Sequence, residues 1–221
     1  SLTAEIIDLP GSYSLYPRRA DEWVSYKVLM NQDRDVKPEL VIVVADASTL
    51  KRNLLFVSQV IDLKVPVVLA LTMMDVARKK DIIVNIRSLE RELGIPVVPV
   101  NPRKNKGIAQ LKKAVDDTAN KFYRPPAFDF ISNKALAPDA VTEVKELLPH
   151  LSDYAAIHHL INHESFLLSN DQQNKIESIE QKNKVQHTRI QAEEIMQRYQ
   201  RIKQIVQTSI TEVSPIKKQM I

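Results

Sequence analysis

Four short apolar runs in the first half of the chain, residues 4–7, 40–45, 65–71 and 95–100, are rich in Val and Ile and apolar on successive positions. Strands with one wet face alternate, whereas continuous runs are strands covered on both faces. Between the runs the period changes. Ile82, Ile86, Leu89 and Leu93 recur at helical spacing, with Asp81 as N-cap and Gly94 to end the helix. Ile108, Leu111, Val115 and Phe122 repeat that spacing after Gly107, and residues 21–30 and 50–61 supply two more helices. This alternation predicts an α/β fold with a doubly wound, mostly parallel sheet, whose ligand crevice lies at the carboxyl ends of the strands. Asp8, Asp46, Asp75 and Asn101 each fall just past such an end.

The pattern changes at Tyr123, Arg124, Pro125 and Pro126, where two prolines stop a helix. Beyond it no strand pattern survives, and an all-α domain is expected. Residues 139–148 and 153–162 read as helices, and Ser169 to Asp171 start a helical stretch reaching about Ile210. Ile195, Tyr199, Ile202 and Val206 form its apolar stripe. Residues 180–194 are mostly polar, with Val185, Ile190 and Ala192 to bury. Unbroken, this helix would span roughly 60 Å at about 1.5 Å per residue, so a break or a projecting arm is expected. The predicted units are 1–122, 123–214 and a tail at 215–221.

Composition removes several function classes. The net charge of +4 divides into +5 for residues 1–124 (20 Lys and Arg, 15 Asp and Glu) and −1 for the remainder (11 against 12). Neither half is basic enough for nucleic acid, and aromatics are too sparse for a stacking platform. The absence of cysteine excludes disulfides and thiol catalysis and fits a reducing compartment. No apolar run approaches the roughly 20 residues of a spanning helix. The three glycines, Gly11, Gly94 and Gly107, are too scattered for a G-x-x-x-x-G-K-[ST] phosphate loop or a G-x-G-x-x-G turn.

Three stretches carry chemistry. Asp8, Leu9, Pro10 and Gly11 hand a carboxylate and then a glycine from a strand to a loop. That arrangement suits a γ-phosphate sensor, in which the Asp holds Mg²⁺ through a water and the Gly amide donates to the terminal phosphate. It equally suits an ordinary turn in which Asp8 is a cap. Thr72, Met73, Met74 and Asp75 follow the third run. A carboxylate there can accept the N1 and N2 protons of guanine, although in isolation a helix-capping Asp is the simpler reading. Asn101, Pro102 and Arg103 close the fourth run, either as a loop whose amides read the guanine carbonyl or as a plain surface connection. Order and spacing outweigh any one of them: together the three outline the later motifs of a guanine-nucleotide-binding domain.

At this point a resemblance becomes specific. "DLPGSYSL" (8–15) and "ADASTLKRNL" (45–54) resemble the cytosolic region of ferrous-iron transport protein B, and "VLALTMMDVARKK" and "GIPVVPVNPRKNKGI" continue it. The helical remainder is similar to that family's spacer domain, with "RYQRIKQIV" (198–206) as a shared feature. The resemblance implies a GTPase module, GTP or GDP with Mg²⁺ as cofactors, and an attached transmembrane domain as partner at the cytoplasmic face of a bacterial inner membrane. It implies that Asp8 is the water-mediated Mg²⁺ ligand, that Asp8 to Gly11 sense the γ-phosphate, and that Thr72 to Asp75 and Asn101 to Arg103 hold guanine. GTP would order residues 12–35, and the helical domain would transmit that order to the membrane. Three departures stand out. The phosphate loop and first switch, expected before Ser1, are absent, so residues 1–221 are expected to bind GTP weakly and turn over none. Thr72 stands where the family has Asn, and Asn101-Pro102 where it has Ser-Ala. Ser12 takes the place of a water-orienting Gln, in keeping with slow hydrolysis.

His158, His159 and His163 share one helix, which raises a metal site; a polar helix face is the plainer expectation. Arg78, Lys79, Lys80, Arg103, Lys104 and Lys106 read as solvated loops, and Lys217 and Lys218 as cytoplasmic residues flanking a membrane helix. A nucleotide-free interaction module with a degenerate G-domain fold is the alternative reading. A phospho-receiver domain is disfavoured, because no acidic cluster accompanies Asp46.

Overall fold

The structure is a computed structural model and describes residues 4–33, 35–120, 126 and 128–212. The strands are β1 (Val41–Asp46), β2 (Val67–Thr72), β3 (Ile82–Val84), β4 (Val97–Pro99) and β5 (Ile210–Glu212). The helices are α1 (Ala20–Leu29), α2 (Leu50–Asp62), α3 (Met74–Lys79), α4 (Ile86–Leu93), α5 (Ile108–Ala119), α6 (Pro138–Leu147), α7 (Asp153–Asn162), α8 (Asn170–Lys182) and α9 (His187–Ser209). The main sheet has the order β1-β2-β4 and is parallel throughout, so the α/β class with a helical second half is the fold observed.

Both faces of the sheet are covered, but not evenly. On one face Val43, Ala45, Leu69, Leu71 and Val97 join the main core with Leu54 of α2, Leu89 of α4 and Ile202 of α9. On the other, Val68, Ala70, Val98 and Val100 pack against Leu111, Ala114 and Val115 of α5. Register places Ile42 and Val44 of β1 on this second face, beside Val68 and Ala70. Yet they are 38 % and 65 % exposed. The α5 cover stops short of β1, and among the described residues no strand pairs with the outer edge of β1. A second core, built from Val141, Val144, Ile157, Leu160, Ile176 and Ile190, holds α6, α7, α8 and the start of α9 together.

Several expectations are corrected. Residues 4–7 form no strand, and Ile6 is 86 % exposed. A strand needs a neighbour for its backbone groups, and no described segment lies beside this one to serve. Ile82 begins β3 rather than a helix, and Asp81, with φ of 59°, stands before that strand and not at a helix start. The helix starts after Asn85, whose side chain accepts from the Ser88 amide at 3.0 Å, and ends on Gly94 at φ 69° as its C-cap. The second half does contain a strand, because β5 pairs antiparallel with β3. The long helical stretch breaks between α8 and α9, where Lys184 takes φ of 51°. Phe122, Tyr123 to Pro125, and 213–221 with Lys217 and Lys218, lie outside the described residues.

Candidate functional site

The parallel register sets the carboxyl ends of three strands side by side. Asp46 pairs with Thr72, and Leu71 with Pro99. The Val100 amide donates to the Leu71 carbonyl at 2.8 Å. Thr72 spends its hydroxyl on the chain itself, donating from Oγ1 to the Ala45 carbonyl at 3.0 Å. Asp46 accepts from the Ser48 amide at 2.7 Å and so caps the 3₁₀ turn Ala47–Thr49 that leads into α2.

The loop after β2 passes through Met73, left-handed at φ 56° and 48 % exposed, and enters α3 at Met74. Asp75 sits in the first turn of α3 and is exposed. Among the described residues nothing pairs with its carboxylate. The loop after β4 is tightly made. The Asn101 side chain accepts from the Lys104 amide at 3.2 Å, and its backbone bridges to Lys106. Pro102 and the exposed Arg103 begin a 3₁₀ turn. Gly107 closes this loop at φ 81°, and a Cβ there would stand 2.1 Å from the Pro99 carbonyl oxygen. Only glycine fits that approach.

Asp8 to Gly11 form an irregular, largely exposed stretch. The Pro10 carbonyl accepts from Ser25 Oγ at 2.6 Å, which ties the stretch to α1. Gly11 is unlike Gly107: a Cβ on it would meet nothing within 4 Å, and its φ lies outside the left-handed region. Further on, the Arg52 guanidinium lies 3.9 Å from the Tyr13 ring centre, holding this segment over the first turn of α2. The structure therefore gathers Asp46, Thr72 to Asp75, and Asn101 to Arg103 on one sheet edge. Among the described residues no hydrogen bond or ion pair joins Asp8 to any of them.

The chain resembles solved proteins over most of its length. It aligns with a GDP-bound mutant of the S. thermophilus FeoB G-domain at TM-score 0.72 and 29 % identity, covering 92 % of this chain and 80 % of that one. The mGMPPNP-bound NFeoB from S. thermophilus gives 0.68 and 27 %, covering 94 % and 80 %. The Fe(2+) transporters FeoB of Leptospira biflexa and Escherichia coli K12 are 40 % and 38 % identical over 112 and 115 residues, which is 51 % and 50 % of this chain. Residues 1–115 match the family model described as ferrous iron transport protein B. The chain belongs to the ferrous iron transport protein B family. It spans only 16 % and 14 % of the length of those two FeoB transporters. Among the described residues no helix is long and apolar enough to cross a membrane.

Two of the three helix histidines lie inside the fold. No cluster of three potential ligands occurs among the described residues. Nor do they form a polar face, because His158 and His159 are 0 % and 2 % exposed. Burial, with the charges of His159 and Arg198, lowers His158 to about 3. Burial lowers His159 to about 4, opposed by its hydrogen bond with the Ala155 carbonyl. Both imidazoles are neutral in the fold.

A buried charge cluster joins the two halves of this FeoB-family chain, and sequence reasoning passed over it. Arg198 of α9 pairs with Asp62 of α2 at 2.9 Å and with Glu194 one turn back, all three side chains being fully buried. Arg198 also donates to the Ser58 carbonyl at 2.9 Å and to Asn133 at 3.2 Å. Asp62 accepts from the Phe130 amide at 2.6 Å and the Asn133 amide group at 2.8 Å. The buried row on α9 runs Ile190, Glu194, Arg198, Ile202, Ile205, Ser209. Of the expected stripe of Ile195, Tyr199, Ile202 and Val206, Ile202 is fully buried and the other three only partly. One signal was available: Glu194 and Arg198 share the helical row of Ile190 and Ile202.

Proposed function

We propose that this chain is the nucleotide-reading and relay part of a ferrous-iron transporter, coupling GTP binding and hydrolysis to Fe²⁺ uptake. Residues 1–122 form the nucleotide unit, 123–214 the helical relay, and 215–221 lead into a membrane domain. In this reading the cytoplasmic face of a bacterial inner membrane is where it works. The observation that carries the reading is the unfinished sheet edge. Ile42 and Val44 lie uncovered on β1 while their register partners Val68 and Ala70 are buried. A strand, a phosphate loop and a helix supplied by another part of the parent protein would fill the open edge and cover those two side chains. The loop would then open beside Asp46 and Thr72.

The residues present fit the cofactors. Asp75 offers guanine a carboxylate with no competing partner among the described residues, and the rigid Asn101 to Arg103 loop offers backbone groups to the base. Asp8 is an exposed carboxylate, suited to a hard cation through a water, with the remaining ligands coming from phosphate and the absent loop. Magnesium there would neutralise charge on the β- and γ-phosphates. Gly11, with open space where a Cβ would be, leaves its amide approachable by a phosphate oxygen. Residues 1–221 alone lack the amides and Lys that hold the phosphates, so tight GTP binding and turnover are assigned to the longer protein.

A titration of fluorescently labelled GDP tests this with two proteins: residues 1–221, and the parent protein including the segment before Ser1. Saturable binding by the longer protein, weakened at least about tenfold by Asp75→Ala, is expected, with none by the shorter. No saturable binding by the longer protein overturns the proposal. That result would favour the second reading, a nucleotide-free interaction module, for which the commitment of the Thr72 hydroxyl to Ala45 speaks.

A further inference from the structure

Arg78, Lys79 and Lys80 read as a solvated loop in the sequence, but they close α3, just before the chain turns through Asp81 into β3. All three are exposed. Lys80 Nζ reaches Ser48 Oγ at 3.5 Å, and among the described residues no ion pair involves any of the three. Lys113, Lys175 and Arg189, by contrast, each hold an acid one turn along their helix, Asp117, Asp171 and Glu193. A cation in a last helical turn offsets the helix dipole. Three in succession point around the axis, so the dipole accounts for one of them and leaves two over.

The strand pair beside this turn sets its surroundings. β5 runs antiparallel to β3, with Ile210 opposite Val84 and Glu212 opposite Ile82. The main chain therefore reaches Glu212 heading toward the start of β3, two positions past Lys80. One face of the pair is spent on the fold, since Val84 is buried and Ile82 and Ile210 pack against the main core. The other face is bare: Ile83 is 56 % exposed and Thr211 is exposed as well. The residues that follow Glu212 in the sequence include Lys217 and Lys218 and no acid.

We propose that Arg78, Lys79, Lys80 and Ile83 form a surface that rests on anionic lipid headgroups. Each cation near an anionic leaflet raises partitioning about fivefold, and an exposed isoleucine adds apolar area at the headgroup boundary. The three cations spread around a helix end instead of converging on a point, which suits a field of headgroups better than one bound phosphate. The proposal rests on the reading of residues 215–221 as the lead into a membrane domain. It adds that the sheet unit itself lies against the lipid, through the same helix that carries Asp75 in its first turn.

Co-sedimentation of the 221-residue chain with vesicles tests this without nucleotide, at about 20 mM salt where screening is weak. Binding to vesicles made half of phosphatidylglycerol is expected, with none to pure phosphatidylcholine. Replacing Arg78, Lys79 and Lys80 together by Gln should weaken it about a hundredfold, and Ile83→Ser should weaken it several-fold. Replacing the exposed Lys104, Lys106 and Lys112 together by Gln removes the same charge from another face and should cost less than about fivefold. On the vesicles, amide exchange should slow across 78–84 and not across 103–106. Equal losses from the two triple variants would mean that net charge alone drives adsorption, and would overturn the proposal. Absence of binding, or equal binding to neutral vesicles, overturns it as well. So does release by glycerol 3-phosphate at matched ionic strength, which would assign the cations to a soluble phosphate. None of these outcomes depends on guanine binding, so failure here leaves the GDP titration to decide the nucleotide reading by itself.

Discussion

The sheet edge and the buried junction treat their charges in opposite ways. At the edge Asp75 stands exposed and unpaired among the described residues, on the same sheet edge as a loop whose backbone is held by Asn101 and Gly107, and Asp8, away from that edge, is likewise exposed and unpaired. In the junction Asp62, Glu194 and Arg198 are fully buried and bond each other, the side chains of Gln59 and Asn133, and main chain. A group kept for a ligand contributes little to the fold that carries it. A group used by the fold is unavailable to anything else. Charge alone therefore does not mark a site; what marks it is charge left over after the chain's own partners are counted.

The sharpest way to break this contrast is Arg198→Met. It strands two buried carboxylates and should cost about 3–5 kcal/mol. Tm should drop by about 10 °C in thermal unfolding followed by circular dichroism. Adding Asp62→Asn and Glu194→Gln should recover part of that loss. A change under about 1 kcal/mol for Arg198→Met would mean that the junction is solvated.

Acid probes the same region. His158 and His159 stay neutral in the fold, at about 3 and about 4 against 6.5 in an unfolded chain. The unfolded chain takes these protons first, so the stability involved is complete above pH 6.5 and is lost as pH falls toward 4 and 3. From pH 7 to pH 5 the loss should be about 2 kcal/mol per histidine, and His158→Gln should roughly halve the slope. A pH-independent denaturation midpoint over that range would contradict the burial.

At the edge the expected effects are smaller and uneven. Gly107→Ala forces a left-handed residue against the Pro99 carbonyl and should cost about 2 kcal/mol, read from urea unfolding. Gly11→Ala and Asp75→Ala should each stay within about 0.5 kcal/mol of the parent. A large loss from either would place that residue among the structural groups rather than the spare ones.

How much could be read beforehand follows the same line. The spans of β2, β4, α2, α5 and α7 were legible because continuous Val and Ile runs and helical spacing are local signals. So was the placement of Thr72 to Asp75 and Asn101 to Arg103 at one sheet edge, because each stretch directly follows a strand. Residues 4–7 were misread because a strand also requires a neighbour, and composition cannot supply one. Ile82 was assigned to a helix because Ile82, Ile86, Leu89 and Leu93 fit the helical period, while its real partner, β5, lies far along the chain. The junction was hidden for a similar reason. Glu194 and Arg198 look like surface residues until Asp62, more than 130 positions away, is set beside them. His158 looked polar because nothing local announces that Tyr16 and Tyr26 will close over it.

The pairing of β3 with β5 bears on how any signal could travel. The helical half leaves the sheet unit after α5 and returns to it at Ile210, so it is held at both ends, like the handle of a cup. Ser209 strengthens the return, its carbonyl accepting from the Asn85 amide at 2.8 Å and its hydroxyl meeting Ser88 at 3.1 Å. A part attached at one end can swing, but a handle can only flex or twist between its mounts. The end of α9 is thus tied to the sheet unit through β3, while the middle of the helix is tied to α2 through Arg198 and Asp62.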